Sequence, residues 1–231
     1  MFDHHFHLVQ LPTPLEIARE LIKVGYGGEI CACELAEWSK QKELCNKIEG
    51  HAGKPFFEQA YGLHPMFAST AQERDFELLR DFLKNVPGAT VGECGLDRRF
   101  KGYEVGGAQE LALRKQVRLA IELERRITFH IVGDHRRVFK ILKEEGLPSN
   151  WPLYFHRFSG DGEAVALARE YDATFGNPRK RECVPEDRIR YETDADASFC
   201  DSDTPPQKVA ELLVEKLLQH AQAPHFCQKY G

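Results

Sequence analysis

No stretch of this 231-residue chain is apolar for long enough to cross a bilayer, which takes about 20 consecutive apolar residues as a helix. The N-terminus lacks the basic segment and long apolar run of a secretory signal, so a cytoplasmic protein is expected. The seven cysteines contain no CxxC pair and no regular spacing, which argues against a disulfide framework and for buried thiols in a reducing compartment. Cys31 and Cys33 share a strand face, as two core residues would. Positive charge is in deficit. The 31 Lys and Arg against 36 Asp and Glu leave a net charge of −5, which counts against broad, nonspecific duplex binding but permits a local basic patch. Low-complexity tracts and linkers are missing too, and 42% hydrophobic residues suffice for a core. One domain over residues 1–231 is therefore expected.

What is present is an alternation of short apolar segments with longer helical ones, the pattern of a parallel α/β fold. The candidate strands are FDHHFHL, EICACEL, FFEQAYGLH, ATVGEC, ITFHIV, LYFHRF, DATFGN and IRYETD. Between them lie helical stretches such as PLEIARELIKVG and FELLRDFLK. After the fourth strand, Leu113, Val117, Ala120 and Ile121 recur as one buried helical stripe. In the last helix Thr204 is the expected N-cap and Pro205 lies in the first turn, with Val209, Leu212, Leu213 and Leu217 facing inward. Eight β/α units in a chain slightly shorter than the typical barrel of roughly 250 residues predict a (β/α)8 TIM barrel. A doubly wound open sheet is the alternative.

The chemistry gathers at strand ends. In "MFDHHFHLV", strand alternation puts Asp3, His5 and His7 on one face and Phe2, His4, Phe6 and Leu8 on the other. Reactive residues of a (β/α)8 barrel stand at the C-terminal ends of strands, around one mouth. His5 and His7 end the first predicted strand, His64 the third, Glu93 the fourth, His130 the fifth, His156 the sixth and Asp194 the eighth. Imidazoles and carboxylates together suit zinc or another divalent transition metal.

The segments "DHHFH", "GLHP", "GECGLD", "HRFSG" and "ETDAD", in that order, resemble the TatD-like metal-dependent hydrolases, a deoxyribonuclease family of amidohydrolase-like barrels. "AQELALRKQVRLAIEL" resembles that family's helix before the fifth-strand histidine, and the motifs together run from residue 2 to residue 196. The resemblance implies a first divalent ion held by His5, His7, Glu93 and Asp194, and a second held by Glu93, His130 and His156. Glu93 would bridge the two, which a carboxylate with two oxygens can do and a neutral imidazole cannot. Zinc is the first expectation, with magnesium or manganese as alternatives. Two such ions can bind a hydroxide and clamp the oxygens of a phosphodiester, and Asp194 is placed to orient the water and take its proton. Glu93 and Asp194 are thus the expected catalytic pair. His64 is implied as a substrate or phosphate contact, with a structural turn before Pro65 as the other reading. Asp97 is either a support for a ligand or a plain turn residue.

Basic clusters follow the strand ends: "DRRFK", Arg157 and "NPRKR". Cations on one face of an acidic protein would attract phosphates, so DNA or another phosphate-containing substrate is expected, with Arg157 a binding residue. A deep mouth suits a strand end or single strand, hence exonuclease-like hydrolysis. No membrane association or obligatory protein partner is expected. The chain departs from the family pattern at Val132, where an arginine usually stands, and at Asp196, beyond the strand-eight aspartate that a proline usually follows. Both departures bear on substrate range and leave the ligands intact. The rival readings are a binuclear hydrolase of another phosphoester, a lactone or an aminoacyl-tRNA linkage, and a non-catalytic metal-binding module.

Overall fold

In this computed structural model, which describes residues 1–49 and 56–222, eight parallel strands pair in sequence order into one sheet. They are β1 (Phe2–Phe6), β2 (Gly27–Ala32), β3 (Phe57–Tyr61), β4 (Thr90–Asp97), β5 (Ile127–Val132), β6 (Pro152–His156), β7 (Asp172–Gly176) and β8 (Ile189–Arg190). The helices α1 (Pro14–Lys23), α2 (Leu35–Glu49), α3 (Glu73–Asn85), α4 (Ala108–Leu123), α5 (His135–Glu144), α6 (Gly162–Ala168) and α7 (Pro206–Gln222) alternate with the strands. This is the (β/α)8 arrangement, and it rules out the doubly wound open sheet. The ring closes without a regular β8–β1 ladder. His4 N donates to Tyr191 O at 3.0 Å, Asp194 N to His5 O at 3.0 Å and His7 N to Ala195 O at 2.8 Å. Asp3 locks the same seam, accepting from Tyr26 Oη at 2.6 Å, Thr193 Oγ1 at 2.5 Å and Thr193 N at 3.0 Å.

Three elements differ from expectation. The eighth strand, predicted over IRYETD, pairs only through Ile189–Arg190, because the following residues bond to Asp3 and β1 and Asp194 turns to φ 51°. After β7 the chain makes two short 3₁₀ turns, Arg181–Cys183 and Glu186–Arg188, where the barrel pattern calls for an α-helix. Pro178 and Pro185 lie in that connection and cannot supply the amides a helix needs. The last helix starts at Pro206, one residue later than expected, with Val209 N bonded to Pro205 O at 3.0 Å. Its buried face holds Val209, Leu213 and Leu217 as expected, while Leu212 is only half-buried.

The helices cover the outside of the barrel. Phe129, Phe155 and Phe175 on neighbouring strands stack at ring separations of 5.2 and 5.5 Å under α5 and α6, each burial worth about 1.5–3 kcal/mol. Inside, the floor is polar and satisfied: Glu29 accepts from Thr90 Oγ1 and Thr128 Oγ1, both at 2.8 Å, and pairs with Arg126.

Two strands carry an extra residue at the positions that matter most for the mouth. Between its pairs with Gly28 and Ile30, β1 takes three steps, Asp3 to Phe6, against two on β2. Between Ile127 and Phe129, β4 likewise takes three steps, Val91 to Cys94, against two. Such bulges re-aim side chains. The one in β1 overturns the expected alternation: Asp3 turns to Tyr26, whereas His4 and His5 both face inward, His4 beside Tyr154 and His5 stacked on His156. Phe6 and Leu8 remain outside, in the apolar layer with α1 and α7. The bulge in β4 turns Glu93 into the barrel.

Candidate metal centre

His5 lies in the bulge of β1 and His7 one residue beyond its end. Glu93 sits inside β4, His130 inside β5 and His156 at the last position of β6. Asp194 lies beyond β8, brought to the mouth by the seam to β1. Glu93 is the hub. Its Oε2 faces His5 Nε2 at 3.3 Å and His7 Nε2 at 3.8 Å, and its Oε1 faces His130 Nδ1 at 2.6 Å and His156 Nε2 at 3.6 Å. Asp194 Oδ1 completes the ring, 3.6 Å from His7 Nε2 and 3.5 Å from His156 Nε2. All six expected ligands therefore converge on one spot. Their grouping differs in one respect from the two expected shells: His156 stacks on His5 at 3.9 Å and lies 5.9 Å from the ring of His130, while His64 stands 4.3 Å from His130.

Several groups hold these candidate ligands in place, and the sequence pointed to only one of them. Asp97 Oδ2 takes His130 Nε2 at 2.9 Å and Arg99 Nη2 at 2.6 Å, while its Oδ1 accepts from Arg99 N at 2.9 Å, so it supports the ring and makes the turn as well. Glu192 Oε2 lies 3.2 Å from His156 Nδ1, and its Oε1 accepts from Arg157 N at 2.7 Å. A signal was available, since Glu192 precedes Asp194 by two residues in "ETDAD". Cys31 and Cys33 are buried as expected but touch the histidines: Cys31 Sγ lies 3.1 Å from His5 Nδ1, and Cys33 Sγ 3.7 Å from His7 Nδ1 and 3.6 Å from Glu93 Oε2. The alternation of "CAC" on the strand next to His5 and His7 was the overlooked clue. His64 Nδ1 accepts from Met66 N at 3.1 Å, so it caps the turn before Pro65 while its ring borders the centre. Arg157 Nη1 bonds Asp194 Oδ2 at 2.8 Å, with most of its side chain exposed.

The electrostatics follow from packing acids and imidazoles together away from water. Burial alone would push Glu93 up, but His156, His5 and His130 hold its carboxyl well below the usual range. Burial pushes Asp194 up as well, and His156 and His7 outweigh it. For His156, burial is outweighed by Glu192, Glu93 and Asp194, which raise it to about 9. Burial lowers His64 to about 4 and dominates at His5, both of which are thus held as neutral donors. His5 Nε2 is buried and has no hydrogen-bond partner among the described residues. An orphaned imidazole nitrogen facing a carboxylate, with three further imidazoles and a second carboxylate around it, fits a divalent transition metal. Ligand atoms of His5, Glu93 and His156, of His5, His7 and Asp194, and of His64, Glu93 and His130 each lie within 4.8 Å of one another.

Around this cluster, Arg99, Arg157 and Arg179 bring together the three basic segments seen in the sequence. A cavity of about 680 Å³ opens beside it, lined by Arg157, Asn177, Arg179, Asp194, Phe199 and Lys216. No described helix is long and apolar enough to cross a membrane.

A sequence model of TatD related DNases matches residues 2–222. The chain is 28% identical over 208 residues to the uncharacterized metal-dependent hydrolase YabD of Bacillus subtilis (strain 168), covering 84% of this chain and 79% of that one. It is 31% identical over 149 residues to the 3'-5' ssDNA/RNA exonuclease TatD of Erwinia amylovora, covering 58% of this chain and 56% of that one, so the match spans just over half of the exonuclease. Among solved structures, a TatD homolog from Escherichia coli K12, YjjV, superposes with a TM-score of 0.70 at 20% identity over 96% of both chains. A hydrolase of the TatD family from Entamoeba histolytica gives 0.69 at 17% identity over 88% of this chain and 77% of that one. Both share the barrel.

Proposed function

Since the chain belongs to the TatD related DNase family, we propose that it is a metal-dependent hydrolase of phosphodiester bonds, acting on single-stranded nucleic acid from an end. The observation that carries this reading is Glu93, whose two oxygens face two imidazoles each. His5, His7 and Asp194 would hold one divalent ion and His130 and His156 a second, with Glu93 shared between them and zinc the first choice for both. Such ions supply Lewis acidity toward phosphodiester oxygens and, for zinc, lower the pKa of water to about 7. The remaining work falls to side chains. Asp97 and Glu192 fix the rings of His130 and His156. Asp194, held ionised by His156 and His7, accepts the proton of the attacking water. Arg157 steadies Asp194 and offers its remaining donors to a phosphate, which its planar fork suits. His64, neutral and at the rim, is a hydrogen-bonding contact for the substrate.

The fit with nucleases named as acting on single-stranded DNA and RNA supports the substrate class, as does a mouth ringed by three arginines. The test is cleavage of end-labelled single-stranded DNA, duplex DNA and RNA by chelator-treated protein, with zinc, manganese or magnesium restored and bound metal measured. Metal-dependent release of nucleotides from an end of the single strands is expected. Protein that retains no metal and cleaves none of the three would overturn the proposal.

A further inference from the structure

We propose that Cys33 supplies a sulfur ligand to the ion held by His7 and Glu93, so that this centre has a mixed nitrogen, oxygen and sulfur shell. The inference rests on the cluster being a metal centre and adds a residue and a metal preference to it. Cys33 Sγ, a His7 ring nitrogen and a Glu93 oxygen all lie within 4.8 Å of one another. The separation of Sγ from Glu93 Oε2 is 3.6 Å. Zinc bonds of about 2.3 Å to sulfur and about 2.0 Å to oxygen set the two ligand atoms about 3.5 Å apart in a tetrahedral shell. His5 Nε2 faces the same Glu93 oxygen at 3.3 Å, fully buried and without a hydrogen-bond partner among the described residues, so a second donor already aims at this point.

The thiol is held there. Cys33 N donates to Glu37 Oε2 at 2.7 Å, and its carbonyl accepts from His64 N at 3.0 Å. His7 Nδ1 lies 3.2 Å from the carbonyl of Cys31, which can only accept. The same Nδ1 lies 3.7 Å from Cys33 Sγ, while Nε2 faces Glu93 and Asp194. As a mere hydrogen bond the S–H to Glu93 contact would be weak. As a ligand, the thiol loses its proton to solvent when the sulfur–metal bond forms, and no oxidant or reductant is involved. The added negative charge and soft donor favour zinc or cobalt over magnesium, a hard ion that takes oxygen ligands.

The full-length protein is stripped of metal, loaded with cobalt(II), dialysed and read by absorption spectroscopy alongside cobalt content. A thiolate-to-cobalt charge-transfer band in the near ultraviolet is expected, lost in Cys33→Ser and kept in Cys31→Ser. In Cys33→Ser zinc affinity should weaken by roughly tenfold or more, while magnesium affinity stays within about twofold. Bound cobalt without the band, or a band that survives Cys33→Ser, overturns the inference and leaves the metal centre standing. Protein that holds no cobalt at all overturns the metal centre, and the inference with it.

Discussion

Glu93 and Asp97 divide the work around His130, one facing Nδ1 and the other Nε2. Replacing Glu93 by glutamine keeps the shape and one oxygen but removes the charge that would offset the two proposed dications. The expected outcome is a fall in hydrolysis of more than about 100-fold and loss mainly of the second ion, with unchanged circular dichroism. Full activity in a folded Glu93→Gln protein would show that it is no bridge. Asp97→Asn is the milder probe, since it removes the negative charge beside His130 Nε2 and the Arg99 guanidinium while leaving every candidate ligand in place. Metal affinity should weaken by about 10–100-fold, measured by competition with a chelating dye.

At the scale of elements, β4 approaches β5 too closely for a side chain at Gly95. A Cβ there would lie 2.0 Å from His130 O, and the backbone is at φ 150°. Gly95→Ala should therefore destabilise by about 3 kcal/mol or more, lowering the Tm by about 6 °C or more. Thermal melting checks it. Helix α4 is tied to α5 by Glu110, which bonds Arg114 Nη2 at 2.8 Å and Arg137 Nη2 at 2.9 Å while also accepting from Gly106 N at 3.1 Å. Burial works against its charge, but these partners hold it down from 4.5 to about 2. A folded value below the unfolded one gives stability that is present in full above about 4.5 and lost as the pH falls toward 2. Glu110→Gln should lower the Tm at pH 7 and flatten the acid limb of the stability curve between those values. An unchanged acid limb would mean that the pairs contribute nothing net.

For the molecule as a whole, a net charge of −5 coexists with a cation-rimmed mouth. Arg179 and Lys216 line the cavity beside Asp194, Lys216 also standing 5.1 Å from the ring of Phe199. If both meet phosphates of a single strand, replacing them by alanine should reduce the slope of log affinity against log salt by about 1.4. Binding titrations at several salt concentrations, with a catalytically silent Glu93→Gln background, read that slope directly. An unaltered slope would make these cations ordinary surface charge.

The barrel was legible in the sequence because each strand and helix carries its own periodic pattern, as ITFHIV and the Leu113–Val117–Ala120 stripe show. The cluster was legible because polar residues at successive strand ends face one mouth in a barrel, and the resemblance to the TatD-like hydrolases grouped them as candidate ligands. Where the chain breaks its own period, only the tertiary structure decides. The bulges in β1 and β4 come from pairing with neighbouring strands, so nothing local says that His4 and His5 both turn inward or that Glu93 meets four imidazoles. The sulfur of Cys33 and the carboxylate of Glu192 are placed by spacings visible in CAC and ETDAD, but that they meet Glu93 and His156 is a contact between residues far apart in sequence, set by the barrel.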